Sequence, residues 1–242
     1  MEAQVFTEHF DLEDTHWWFR SKRTLILTLL RRYGALAGPG LDVGCGTGGT
    51  LAVLAAQGVW MGVDADPVAL GLSRCRGLAR LAGGLAESLP FREDTFAACL
   101  CLDLLYHRNV ASEKGALREC HRVLRPGGVL LVTDSAFKWL RSAHDEAVHG
   151  ARRYTRRELV ARVRAAGFTP LLASYAYCLV FPAVAAVRLA RRNAAAGSDV
   201  FPLPRPLNRA LLGVQAVERA LLRLAPLPFG SSVVLVARKT GA

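Results

Sequence analysis

Leu41-Asp42-Val43-Gly44-Cys45-Gly46-Thr47-Gly48-Gly49-Thr50 is the stretch whose reading decides the fold. A short apolar run ends in an acidic residue and a glycine cluster, and Leu51, Leu54 and Ala55 follow at helical spacing. That order reads as strand, tight turn, helix. Glycine takes positive φ and lets a ligand approach with no Cβ in the way, while a helix start presents free N–H groups. Such a turn suits a nucleotide-sized ligand.

The spacing admits two patterns. Gly44, Gly46 and Gly49 satisfy GxGxxG, the form that suits a dinucleotide pyrophosphate. Gly44, Gly46 and Gly48 satisfy GxGxG, which, preceded by Asp42, resembles motif I of the class I S-adenosylmethionine (SAM) methyltransferases. Downstream, residues 59–64 read as a second buried strand ending in Asp64, where a carboxylate can accept both hydroxyls of a ribose. Asp66-Pro67 then opens a helix.

Residues 79–83 read as a short third strand leading into Leu85-Ala86-Glu87-Ser88-Leu89-Pro90-Phe91. An acidic residue followed by Leu-Pro-Phe at this place is similar to the small-molecule members of the same family, and dehydrogenases have no such stretch here. Residues 95–102 form the fourth strand, with Asp103-Leu104-Leu105-Tyr106-His107 at its carboxyl end, where ligands of open α/β sheets bind. Nucleic-acid amino methylases carry Asn/Asp-Pro-Pro-aromatic there, so a nucleic-acid acceptor loses support. Ser112 caps the next helix, which ends in Leu124-Arg125-Pro126-Gly127-Gly128 before the strand 129–134, again the methyltransferase arrangement. The resemblance runs in order from Leu41 to Asp134. It implies that Gly44, Gly46 and Gly48 hold the methionine part of SAM, with Asp42 near its amine. It also implies Asp64 on the ribose, Ala86 and Glu87 at the adenine, and Leu102 among the cofactor contacts.

Beyond Ser135 the chain reads Trp139, His144-Asp145-Glu146, His149 and Arg152-Arg153-Tyr154-Thr155, which is similar to a subset of bacterial methyltransferases. This segment lies over the carboxyl ends of the fourth and fifth strands and is expected to help build the acceptor pocket. Methyl transfer to a hydroxyl needs a base, and histidine titrates in the right range. His144 and His149 are the candidates, with His107 third. Arg152 and Arg153 suit a carboxylate or phosphate on the acceptor, with Trp139 and Tyr154 beside them. The alternative, that His144 and Asp145 pin the loop and the arginines are solvated, stays open. Thr155 and Glu158 form a capping box.

Before the glycine turn, Ser21 is expected to cap a helix carrying Leu25, Leu29 and Leu30, and His16-Trp17-Trp18-Phe19 either cover the cofactor mouth or staple that helix to the sheet. The uncharged run 165–187 is long enough to raise a membrane span, but its prolines and tyrosines favour a sixth strand followed by a proline-started helix. Residues 182–229 form an insertion. Its first helix ends Arg188-Leu189-Ala190-Arg191-Arg192, a Gly/Pro linker spans 197–206, and a second helix places Leu207, Leu211, Val214, Val217 and Leu221 on one face. A lid over the acceptor pocket is the first reading, an anionic bilayer surface the second, and a dimer contact the third. Ser231 to Arg238 close the chain as a strand, and the resemblance to the methyltransferases implies that it inserts antiparallel between strands five and six, which sets the sheet order.

The expected architecture is a Rossmann-like α/β sheet of seven strands in the order 3-2-1-4-5-7-6. Residues 1–40 form a helical cap, 41–181 the SAM-binding core, 182–229 the insertion and 230–242 the last strand. With 242 residues and a net charge of +11, the chain favours anionic partners. It shows no leader pattern at its start, which points to the cytoplasm or the inner membrane surface. The six cysteines have no metal-ligand spacing and read as buried thiols, and no metal is expected. The expected activity is SAM-dependent methylation, at oxygen, of a small-molecule, sugar-linked or lipid-linked acceptor. An NAD-dependent oxidoreductase and a non-catalytic scaffold at a membrane surface are the rivals.

Overall fold

The computed structural model describes residues 3–190 and 200–240. Its sheet has the order β3-β2-β1-β4-β5-β7-β6. The strands are β1 (Gly40–Val43), β2 (Trp60–Asp64), β3 (Leu81–Gly83), β4 (Phe96–Leu102), β5 (Leu124–Ser135), β6 (Phe168–Ala176) and β7 (Ser232–Lys239). All neighbours from β3 to β5 are parallel, and β7 runs antiparallel to both β5 and β6. Leu100, Leu130, Leu131 and Val132 are fully buried, because helices cover both faces of a parallel sheet. The Leu-Arg-Pro-Gly-Gly return is a looped-out segment of β5. Leu124 pairs with Phe96 and Val129 with Ala98, so Arg125 to Gly128 leave the ladder between them.

The helices are α1 (Ala3–Leu12), α2 (Trp17–Arg32), α3 (Gly49–Ala55), α4 (Pro67–Cys75), α5 (Glu113–Val123), α6 (Ala143–Ala147), α7 (Arg156–Ala165), α8 (Phe181–Ala190) and α9 (Arg205–Leu224). Asp66, Ser112 and Thr155 each accept a backbone N–H at their helix starts, and Glu158 completes the Thr155 box. Among the described residues no helix is long and apolar enough to cross a membrane. Run 165–187 divides into the end of α7, β6 and most of α8.

Three expectations are corrected. The first helix of the core starts four residues before Ser21. Its cap is His16, whose Nδ1 accepts the Trp18 N–H, while Ser21 lies buried inside α2. A further helix, α1, precedes it. β6 ends at Ala176, five residues before Phe181. The apolar stripe of α9 is also rotated. Gln215, Glu218 and Leu222 face inward while Val217 and Leu221 are exposed. Glu218 accounts for the rotation, since its carboxylate caps the N–H groups of Tyr177 and Leu179 after β6. The expected end of the first insertion helix at Arg191-Arg192, and the linker from Gly197 to Asp199, lie outside the described residues.

Candidate active site

A cavity of about 830 Å³ opens over the carboxyl ends of β1, β2 and β4 and is roofed by α1, α2, α8 and α9. Its floor is the glycine turn. Gly44, Gly46 and Gly48 have φ of 72°, 56° and 80°, which a side chain rarely adopts. A Cβ on Gly44 would sit 2.7 Å from Leu104, so the backbone is bare where a ligand must come close. The turn is clamped from β2 and α4. Asp64 Oδ2 accepts the Gly46 N–H at 2.8 Å, Ser73 Oγ donates to the Gly46 carbonyl at 2.9 Å, and Arg76 Nε donates to the Thr47 carbonyl at 2.9 Å.

The carboxylates of this floor are desolvated. Burial pushes Asp42 up to about 7, with the Lys22 ammonium pulling the other way. Asp42 Oδ1 has no hydrogen-bond partner although it is buried in the cavity wall. A buried lone carboxylate oxygen is costly unless a cation or donor faces it. Asp64 is also raised by burial, against the N–H groups of Asp66 and Gly46 that it accepts. Ala86, Glu87 and Leu102 line the same wall, and Glu87 Oε1 accepts the Ser112 N–H at 3.1 Å.

Two desolvated carboxylates, Asp42 and Asp64, with a bare glycine backbone between them, form the polar end of the cavity. Residues 41–132 match the family model described as Methyltransferase domain. Over these residues the chain is similar to the SAM-dependent methyltransferases. The chain is 34% identical over 128 residues to the demethylmenaquinone methyltransferase of Tropheryma whipplei, covering 51% of this chain and 49% of that one. It is 36% identical over 96 residues to an uncharacterized methyltransferase of Synechocystis, covering 39% and 45%. The chain thus spans about half the length of the curated relatives it matches. Among solved structures, a SAM-dependent methyltransferase of Thermotoga maritima superposes with a TM-score of 0.64 at 20% identity, covering 98% of this chain and 96% of that one. The [4+2]-cyclase SpnF has a TM-score of 0.55 at 24% identity, covering 88% and 82%, so the fold itself does not name a reaction.

The cofactor candidates Asp42, Gly44, Gly46, Asp64, Ala86, Glu87 and Leu102 all line the cavity, and Gly48 sits just behind, capping α3. Of the acceptor candidates only His144 and His107 do. Burial lowers His144 to about 3, helped by the Arg188 guanidinium, and lowers His107 to about 4. His149, Trp139, Arg152, Arg153 and Tyr154 stand off the wall, contrary to the sequence expectation. Arg153 forks onto Asp145 at 2.8 and 2.9 Å and donates to the Ala136 carbonyl, with both side chains about 5% exposed. Arg152 donates to the carbonyls of Leu105, His107 and Val110, and the Tyr154 hydroxyl donates to the Leu105 carbonyl at 3.0 Å. These residues therefore strap together the loops that follow β4 and β5. Trp139 stacks outward on Phe137, and the His149 ring lies 5.7 Å from that of His107.

Sequence reasoning missed several cavity residues, His9, Glu13, Lys22 and Arg23, and gave no site role to Tyr106 or Arg188. Glu13 accepts from Thr47 Oγ1 at 2.7 Å and from Arg76 at 2.6 Å, and Arg23 donates to the Gly49 carbonyl at 3.2 Å. Lys22 pairs with Asp103, which holds a φ of 51° at the end of β4. His9 Nε2 is buried without a hydrogen-bond partner, and burial lowers its imidazole to about 4. The one signal in the sequence was the aromatic run after His16, of which Trp17, Trp18 and Phe19 do cover the mouth.

Proposed function

We propose that the chain transfers the methyl group of SAM to an oxygen of a small, largely apolar acceptor, aromatic or lipid-linked. The observation that carries this reading is the continuity of one cavity. The glycine turn, Asp42 and Asp64 form its polar end, and Trp17, Phe19, Val184, Leu207 and Leu211 form an apolar compartment beside it. Bound at the polar end, SAM supplies an electrophilic sulfonium methyl that leaves to a nucleophile with its bonding pair returning to sulfur.

Asp64 is pre-oriented by the two N–H groups it accepts and is placed to take the ribose hydroxyls. Asp42 balances the amine charge, and Lys22 and Arg23 from α2 close the turn. The contribution of the fold is mainly placement, since aligning two reactants removes much of the barrier without covalent chemistry. The helices α1, α8 and α9 roof the cavity, and His144, which burial keeps neutral and weakly basic, serves as a hydrogen-bonding partner of the acceptor. The name of the demethylmenaquinone relatives favours an apolar ring acceptor, and the aromatic wall supports it. An antiparallel β7 beside β5 separates this sheet from the dinucleotide order 3-2-1-4-5-6 and speaks against the NAD reading. The test is calorimetry with SAM. Asp64→Ala is expected to weaken binding by at least about tenfold, the scale of one charge-assisted hydrogen bond, in a protein that still folds with a melting temperature lowered by loss of the Gly46 and Asp66 N–H contacts. Wild-type protein that takes NADH and ignores SAM ends the proposal.

A further inference from the structure

Helix α9 buries polar side chains and exposes apolar ones. Gln215 and Glu218 are buried on its inward face, while Val217, Leu221 and Leu224 are 56%, 41% and 85% exposed. Ala210, Gly213 and Ala220 are exposed with them, and residues recurring every three or four positions share one face, so an apolar stripe faces outward along most of the helix. The orientation is pinned. Glu218 caps the Tyr177 and Leu179 N–H groups, and Asn208 accepts the Trp17 N–H and donates to the Thr15 carbonyl, both at 2.7 Å. Turning the stripe inward would strip these groups of their partners, which costs more than the exposed apolar area would return.

Charge follows the same helix. Arg205, Arg209 and Arg223 are exposed and, at nearly whole helical turns from one another, line one edge of the stripe. The carboxylate of α9, Glu218, is buried and held by the two N–H groups, so the outward side of the helix is cationic and apolar together. Along the other edge of the stripe lies the mouth of the cavity. Leu207 of α9 lines the cavity and is about half exposed, as are Phe201 before it and Val187 of α8. A nucleic acid would answer the arginines but not the stripe. An anionic bilayer answers both, because apolar side chains enter its acyl boundary while guanidinium groups meet its headgroups.

We propose that α9 lies on the surface of an anionic lipid bilayer, with the cavity mouth at the acyl boundary, so that an apolar acceptor passes from lipid into the cavity. The docking surface stands on exposure and charge and goes beyond the reaction read for the cavity. Only the route of the acceptor rests on that reading.

The experiment is co-sedimentation of the full chain with vesicles of phosphatidylcholine alone and of phosphatidylcholine mixed with phosphatidylglycerol, at low and at high salt. The expected result is partitioning about a hundredfold stronger onto the anionic vesicles at low salt, from three arginines at about fivefold each, with a preference that shrinks as salt is added. Replacing Arg205, Arg209 and Arg223 by Gln is expected to bring the anionic vesicles down to the neutral level. Val217→Ser with Leu224→Ser is expected to weaken partitioning onto the anionic vesicles by about tenfold or more, since both side chains lose their apolar transfer. These substitutions change exposed side chains off the cavity wall, so the melting temperature and the affinity for S-adenosylhomocysteine by calorimetry should stay in place. No partitioning, equal partitioning onto neutral and anionic vesicles, or partitioning untouched by the serine pair overturns the proposal. A dimer in solution that dissociates on the serine substitutions also overturns it, because the stripe then belongs to a second copy. Absence of vesicle partitioning with nucleoside binding intact sinks this inference alone, whereas a chain that binds vesicles and takes no nucleoside keeps the docking surface and sinks the proposed function.

Discussion

Asp42→Asn isolates the electrostatics of the cofactor end. Asp42 is 2% exposed, and burial raises its carboxyl from 3.8 to about 7. At 1.36 kcal/mol per unit, that rise corresponds to about 4 kcal/mol held against ionisation in the empty site. The sign follows. A carboxyl raised in the folded state stabilises the protein below its unfolded value and loses that contribution as pH climbs through the folded value. A cation bound opposite Asp42 reverses this by favouring the ionised form. Near pH 8 the carboxylate is mostly charged and supports the amine of SAM, and the asparagine variant is expected to bind about tenfold to a hundredfold more weakly, the range of a hydrogen bond to a charged group. Near pH 6 about nine-tenths of Asp42 is protonated, so the wild type loses about tenfold and approaches the variant. Without ligand, the variant should melt at the same temperature as the wild type or higher near pH 8, because a buried lone charge has gone. Calorimetry at both pH values, in buffers of differing ionisation heat, reads affinity and proton release together. Wild type and variant with the same pH profile, or equal affinity near pH 8, would refute the reasoning.

Arg153→Gln leaves the buried Asp145 carboxylate without its fork and is expected to cost about 3–5 kcal/mol in urea unfolding; a loss below about 1 kcal/mol would mean that the strap is not structural. Burial holds His144 at about 3 against 6.5 in the unfolded chain, so the unfolded state takes up the proton first as pH falls. The stability difference between His144→Asn and wild type should therefore move in favour of the variant by about 1.4 kcal/mol per unit as pH drops below 6.5 toward 4. The comparison has to be with the variant, because Asp42 and Asp134, both raised by burial, move wild-type stability the opposite way. A difference that stays flat with pH would show that His144 titrates normally.

The cofactor half was legible in the chain because its information is local. Gly44, Gly46 and Gly48 are demanded by backbone angles within five residues, and a strand that ends in Asp64 places that carboxylate at the sheet edge wherever the next helix goes. The strands were legible for a similar reason, since each carries its own apolar run and turn, whereas their order was implied by the resemblance to the methyltransferases. The acceptor half was not. Arg152 and Arg153 look the same in sequence whether they meet a substrate, three carbonyls or a buried aspartate, and only the packing of the loops after β4 and β5 assigns them to the strap. The inward face of α9 followed the need of two N–H groups after β6 for Glu218, a partner 39 to 41 residues away, and not the hydrophobic count. His9 and Arg188, separated by most of the chain, become walls of one cavity through tertiary folding alone. Local backbone geometry and periodicity wrote the glycine turn and its strand-end carboxylates into the sequence, and long-range competition for buried polar partners settled which side chains line the rest of the cavity.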